Sequence, residues 1–110
     1  MNLPNANRAV VEPSKVRDYL LSSSHPVGRF KATVFFALGY SAAGWELLRN
    51  DILAIARTGQ ALPGLTGPYG RKFEVGGTLT GPNGKSADFR TIWLLEAEDE
   101  APSFVTAYPR

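Results

Sequence analysis

An α+β fold, with N-terminal helices packed on a C-terminal antiparallel β-sheet meander, is predicted by a change of hydrophobic period along the chain. Up to Thr58 the apolar residues recur at helical spacing; from Arg71 onward they alternate with polar residues. A stretch rich in Gly and Pro separates the two regimes, and Gly81-Pro82-Asn83-Gly84 supplies hairpin turn chemistry within the second. The reading is a single domain over residues 1–110, with a helical region at 1–58, a loop at 59–70 and an antiparallel sheet at 71–110. Helices gathered ahead of a sheet cover one of its faces and leave the other free for a site.

Glu12-Pro13-Ser14-Lys15 opens a short first helix, because Pro is suited to a first turn, and Val16, Tyr19 and Leu20 continue it at helical spacing until Ser22-Ser23-Ser24. A second helix starts near Pro26 and stops at Gly39, and its apolar run from Ala32 to Leu38 predicts a central, buried helix. Ser41 is placed to cap a third, in which Trp45, Leu48, Ile52 and Ile55 form the inward stripe and Gly59 the stop. In the sheet half, Phe73, Val75 and Leu79 alternate with Lys72, Glu74, Thr78 and Thr80, and Gly76-Gly77 suggests a bulge or bend. The return strand covers Ser86 to Glu96, and the acidic turn ending at Pro102 leads into a last strand from Ser103 to Tyr108.

Composition narrows the chemistry. A chain of 110 residues, 44% hydrophobic and 11% aromatic, can bury a core without metal or disulfide support. It has no cysteine and one histidine, which removes thiol nucleophiles, disulfides and histidine-rich metal sites; no metal and no cofactor is expected. The first residues have neither a basic nor an apolar leader segment, and the longest apolar run, Val34 to Leu38, is too short to span a bilayer, so a cytoplasmic protein without membrane contact is expected. The net charge is +2, yet four of the ten acidic residues are Glu96, Glu98, Asp99 and Glu100; the rest of the surface is cationic enough to permit a nucleic-acid partner.

The single histidine, in Ser24-His25-Pro26-Val27-Gly28-Arg29-Phe30-Lys31, precedes two cations at the expected start of the second helix. Histidine is the side chain that titrates near neutrality when unperturbed, and a helix N-terminus with cations attracts anions, so a phosphodiester is the first substrate to consider. On the last strand Thr106 and Tyr108 share one face and could project together toward a ligand, with Val105 and Ala107 on the other. Periodicity does not choose between Arg90 and Thr91 on the return strand, since both parities carry apolar residues.

Leu3-Pro4-Asn5-Ala6, His25-Pro26-Val27-Gly28 through Lys31-Ala32, Leu79 through Gly84, Arg90-Thr91-Ile92-Trp93 and Thr106-Ala107-Tyr108-Pro109 together resemble an uncharacterised family of small bacterial proteins. That family recurs in gene pairs of toxin–antitoxin type. The order of elements, with a lone histidine and a lysine in the helical half and a Thr-x-Tyr-Pro ending, is also similar to the barnase, colicin D and RelE group of metal-independent ribonucleases, an analogy of architecture. The resemblance implies a toxin that cleaves an RNA phosphodiester, transfer or messenger RNA, and is held in check by a cognate antitoxin protein. In that scheme His25 moves the proton of the ribose 2′-hydroxyl or of the leaving oxygen. Lys31 with Arg29 or Arg90 stabilises phosphoryl charge, and Thr106 or Thr91 adds a hydrogen bond. Tyr108 stacks on a base or transfers the second proton. Arg29, Arg71 and Lys72 are the substrate-binding candidates. The sequence lacks the glutamate–histidine pair of barnase itself.

Every one of these residues also has a structural role available. His25 before Pro can be a turn residue, Arg90 can pair with Glu74 or Asp88, Thr106 is a common strand former, and Trp45 and Trp93 suit a core. Lys31 and Arg29 are two positions apart on a helix and do not share a face. The competing function is a non-enzymatic protein- or RNA-binding module. An antitoxin role ranks last, since no flexible charged segment is present.

Overall fold

The computed structural model describes residues 1–26 and 29–110, with Arg29 and Phe30 described by backbone alone. Pro13–Lys15 form a single helical turn (α1) that widens into a π-type turn over Val16–Leu20, burying Val16 and Leu20. The second helix, α2, spans Arg29–Ala37; its expected start near Pro26 leads into Val27 and Gly28, which lie outside the described residues. α2 is not buried all round. Ala32 and Phe35 face inward with Leu38 just beyond, whereas Thr33, Phe36 and Ala37 are exposed, because a helix on the outside of a two-layer domain needs only one row of contacts. The third helix, α3, spans Trp45–Thr58 and buries Leu48, Ile52, Ile55 and Ala56. Ser41 serves the turn before it, accepting the Gly44 N–H at 3.2 Å, and Gly59 closes it with an N–H bond to the Ile55 carbonyl at 2.8 Å.

Four antiparallel strands follow in the order β1-β2-β3-β4: Ala61–Gly67, Gly70–Thr80, Ser86–Leu95 and Ser103–Pro109. β1 occupies most of the stretch expected as the loop 59–70. It is an edge strand, and an edge tolerates the proline and glycines that argue against a strand; its pairing with β2 is broken between Pro63 and Thr66. Gly76-Gly77 makes no bulge. The β2–β3 ladder runs unbroken from Arg71↔Leu95 to Thr80↔Ser86, and the glycines instead admit close neighbours: a Cβ on Gly77 would meet the Ile55 side chain at 2.7 Å, and one on Gly76 the Arg110 guanidinium at 2.9 Å. The irregularity of the sheet's other end lies between β3 and β4, where Ile92 pairs with Thr106 but Trp93 with Phe104, leaving Val105 as the extra residue of a bulge.

The helices cover the face carrying Phe73, Val75, Leu79, Phe89, Trp93, Leu95, Phe104 and Ala107, all buried. Phe35 stacks on Phe89 at 5.1 Å between ring centroids, and Phe104 meets Trp93 edge-on at 5.4 Å, geometries that aromatic quadrupoles favour. Trp45 is only half-buried and lies against the Arg17 and Arg49 guanidinium groups, 5.9 and 5.0 Å from its ring. Tyr40 ties α3 to the sheet: its O–H donates to Asp51 Oδ2 at 2.6 Å and, at 3.4 Å, to the Thr80 carbonyl of β2, and burial together with that carboxylate holds the phenol well above its ordinary ionisation range. The acidic turn after β3 is fastened by the N-terminal segment, where Asn5 Nδ2 donates to the Glu98 and Glu100 carbonyls and Arg8 Nη2 to that of Asp99. No helix among the described residues is long and apolar enough to cross a membrane.

The tightest seam lies between the end of α2 and the β2–β3 turn, where a Cβ added to Gly81 would collide with the Leu38 carbonyl. Gly81→Ala is expected to lower the unfolding free energy by about 1–3 kcal/mol, the usual range for overpacking, in urea denaturation; an unchanged midpoint would show the seam to be loose.

Candidate functional site

The β3–β4 bulge decides what the outer strand presents. Ala107 pairs with Thr91 and faces the core, Thr106 and Tyr108 take the opposite parity, and the extra residue Val105 joins Thr106 on the wall of a cleft. From the helical layer, Lys31 near the start of α2 reaches this strand and donates from Nζ to Thr106 Oγ1 at 2.7 Å. The same ammonium lies 5.5 Å from the ring centroid of Tyr19 and 6.0 Å from that of Tyr108, a cation–π arrangement with two aromatic faces.

His25 completes the group. It sits in the turn after Ser22–Ser24, its backbone N–H bonded to Ser22 Oγ at 3.1 Å, and its imidazole meets the Tyr19 ring edge-on at 5.0 Å between centroids. Lys15, Tyr19, His25, Val105 and Thr106 line an open cleft of about 460 Å³. His25 also borders a second cleft, of about 520 Å³, walled by Arg17, Asp18 and Ser22–Ser24. The histidine therefore stands on the ridge between two adjoining depressions.

Tyr19 is a member of the site that its sequence position assigns to the helical stripe. Helical spacing with Val16 and Leu20 predicts an inward ring; the polar tip, which an inward tyrosine must place somewhere, is the signal that could have found it. Burial is the largest single influence on its phenol and opposes ionisation. Hydrogen bonding with Thr106 and Lys31 and the charges of Lys31 and Lys15 together outweigh it, so the phenol ionises below its ordinary range.

The remaining candidates separate. Arg90 projects from the open face of β3 and lies 3.6 Å from Glu74 Oε1, which also accepts the Tyr108 O–H at 3.4 Å, so the pairing expected as its structural role is the one formed. Thr91 points the other way. It is fully buried, donates to the Val75 carbonyl at 2.8 Å and accepts the Trp93 indole N–H at 2.8 Å; both parities of β3 are apolar, and the indole's need for a partner settles which one is core. Arg71 lies beside the acidic turn, 3.2 Å from Glu98 and over the Phe73 ring, away from His25. Lys72 is exposed on the open face opposite Leu94, at the mouth of an apolar depression formed by Leu65 and Tyr69. The Arg29 side chain lies outside the described residues. Another groove, between α3 and β2, contains Asp51 and Thr58 but no cationic side chain.

Fold and cleft define an α+β domain with a cationic and aromatic site on the outer strand of its sheet. The chain belongs to the DUF6883 family, a domain of unknown function, which it matches over residues 2–110. Among solved structures it is similar to a chain of a contact-dependent growth inhibition toxin–immunity protein complex from Klebsiella pneumoniae 342, at 24% identity and a TM-score of 0.72, with 92% of this chain and 99% of that chain covered. At that identity the likeness establishes the fold. No curated protein matches the chain.

Two measurements check this geometry. Lys31→Met removes a hydrogen bond and a charge that favour the Tyr19 phenolate, so the Tyr19 titration, isolated by difference against Tyr19→Phe in tyrosinate absorbance, is expected to move to higher pH; no movement would separate the two groups in solution. Thr91→Val should cost about 1–3 kcal/mol by orphaning the indole N–H while leaving that titration in place.

Proposed function

We propose that this chain is a bacterial toxin domain that cleaves RNA by metal-independent acid–base catalysis and is neutralised by a cognate partner protein. The observation that carries the reading is the convergence of His25, Tyr19 and Thr106 on one cleft, with the Lys31 ammonium bonded to Thr106 and placed over the Tyr19 ring. These are a proton-transfer group, a polarised phenol, a fixed positive charge and a hydroxyl, the set that an RNA transesterification uses. The fold's likeness to a chain of a toxin–immunity complex supports assignment as a toxin, and the order of helices before an antiparallel sheet supports the analogy to the barnase, colicin D and RelE group. Among the described residues no cluster of three or more His, Asp or Glu side chains could hold a metal ion, and the reading gives charge stabilisation to Lys31.

The reaction is attack of a ribose 2′-hydroxyl on the adjacent phosphorus. His25 accepts the 2′ proton, while the Lys31 ammonium faces the charge that grows on the non-bridging phosphoryl oxygens, where a preplaced cation contributes most. Thr106, held by Lys31, orients that ammonium. Tyr108, half-buried beside it, offers a ring face to a base. Arg90, exposed and only loosely paired with Glu74, is available to a neighbouring phosphate on the open face. The second reading, a non-enzymatic binding module, draws on the β1–β2 hairpin, whose Leu62, Leu65 and Tyr69 are largely exposed.

Induced expression in bacteria, with total RNA sequenced for new 5′ ends, tests the reading. Wild type should arrest growth and create discrete ends; His25→Ala, folded by circular dichroism, should lower cleavage by about 10²–10⁴-fold. Normal growth and unchanged RNA with folded wild-type protein would favour the binding module.

A further inference from the structure

We propose that Tyr19 is the general acid of this site, delivering its phenolic proton to the ribose 5′ oxygen as that oxygen leaves phosphorus. The assignment rests on the ribonuclease reading above and deepens it. An in-line displacement needs two proton-transfer groups, one at the attacking oxygen and one at the leaving oxygen, and the chain has one histidine. The second group must share a cleft with His25. Tyr19 does so, edge-on to the imidazole, whereas the Tyr108 hydroxyl turns toward Glu74 on the open face of the sheet.

The groups around the Tyr19 phenol suit a donor. His25 meets its ring from the Ser-rich turn, Lys31 from α2, Lys15 from α1 and Thr106 from β4. Both lysines and the threonine hydroxyl favour the phenolate that remains after donation, which is why ionisation is eased although burial resists it. In the step itself the 2′ oxygen forms a bond to phosphorus and the bond from phosphorus to the 5′ oxygen breaks. The 2′ proton passes to the imidazole and the phenolic proton to the 5′ oxygen. The products are a 2′,3′-cyclic phosphate and a 5′-hydroxyl, and the imidazolium and phenolate return to their starting forms by exchange with water.

A leaving-group substitution tests this directly. The probe is an oligoribonucleotide spanning a mapped cleavage site, made with oxygen or with sulfur at the bridging 5′ position of the scissile linkage, since a thiolate leaves without a proton. Tyr19→Phe is expected to cleave the oxygen probe about 10²–10⁴-fold more slowly than wild type yet stay within about tenfold of it on the sulfur probe. His25→Ala should be impaired on both, and Tyr108→Phe should not show the selective rescue. Equal impairment of Tyr19→Phe on both probes, or none on either, would remove Tyr19 as the acid while leaving the ribonuclease reading intact. Wild type that cleaves neither probe would overturn that reading and the assignment with it. Should Tyr19→Phe fail to fold, difluorotyrosine placed at position 19 gives the same decision: a more acidic donor must shift the basic limb of the pH–rate profile to lower pH, and a residue acting only by packing would leave that limb in place.

Discussion

The indole of Trp93 is fully buried, and its one polar atom has to be satisfied inside the core. Thr91 does this from the same face of the same strand, and its own O–H donates a hydrogen bond to the Val75 carbonyl of the neighbouring strand. That short relay fixes which parity of β3 faces the helices. Arg90 and Ile92 are thereby turned outward, and the ladder carries the choice to Glu74 on one side and to Thr106 and Tyr108 on the other. A swap of parity would bury Arg90 and expose the indole, so these two buried hydrogen bonds act together with the apolar Phe89, Trp93 and Leu95 of the same parity in turning the Arg90 side chain to the open face.

A second constraint acts at the outer strand. The bulge at Val105 lets Phe104 and Ala107 both enter the core although they stand three positions apart, and it brings two neighbouring side chains, Val105 and Thr106, to the same cleft. Lys31 meets Thr106 there. The helical layer and the sheet are therefore joined at the site by a charged hydrogen bond, and elsewhere mostly by apolar packing. Such a bond holds the ammonium in one place at the edge of the cleft, which a lysine in free solvent would not do.

Much of this was legible in the residues. The amphipathic stripe of α3 and the alternation of β2 are strong periodic signals, and they place the core correctly; Lys31, Thr106 and His25 come from segments whose order could be read. The apolar run of α2 points to burial all round, yet that helix packs along one row only, and the bulge moves Val105 off the face that alternation shares with Ala107. Three further features escaped, each for a physical reason. β1 is an edge strand, so its composition is set by the turn and by solvent and not by a core face. The pair Gly76-Gly77 carries the mark of a bulge, but its cause is the close approach of Ile55 and Arg110, which only tertiary packing reveals. Tyr19 has the spacing of a core residue because most of its ring behaves as one, and its hydroxyl is directed by partners on α2 and β4 that lie far away in the sequence.

The irregular pairing of β1 has an effect on how the chain behaves among its own copies. A sheet that ends in a flat, fully hydrogen-bonding strand offers an incoming chain a row of donors and acceptors at strand spacing, and the apolar side chains of Leu62 and Leu65 would add to the attraction. Pro63 removes one donor from that row, and the break in register before Thr66 puts the remaining groups out of step with any straight partner. The same features that obscure the strand in the sequence thus guard it against edge-to-edge polymerisation, leaving a hairpin that is sticky in its side chains but poorly templated in its backbone.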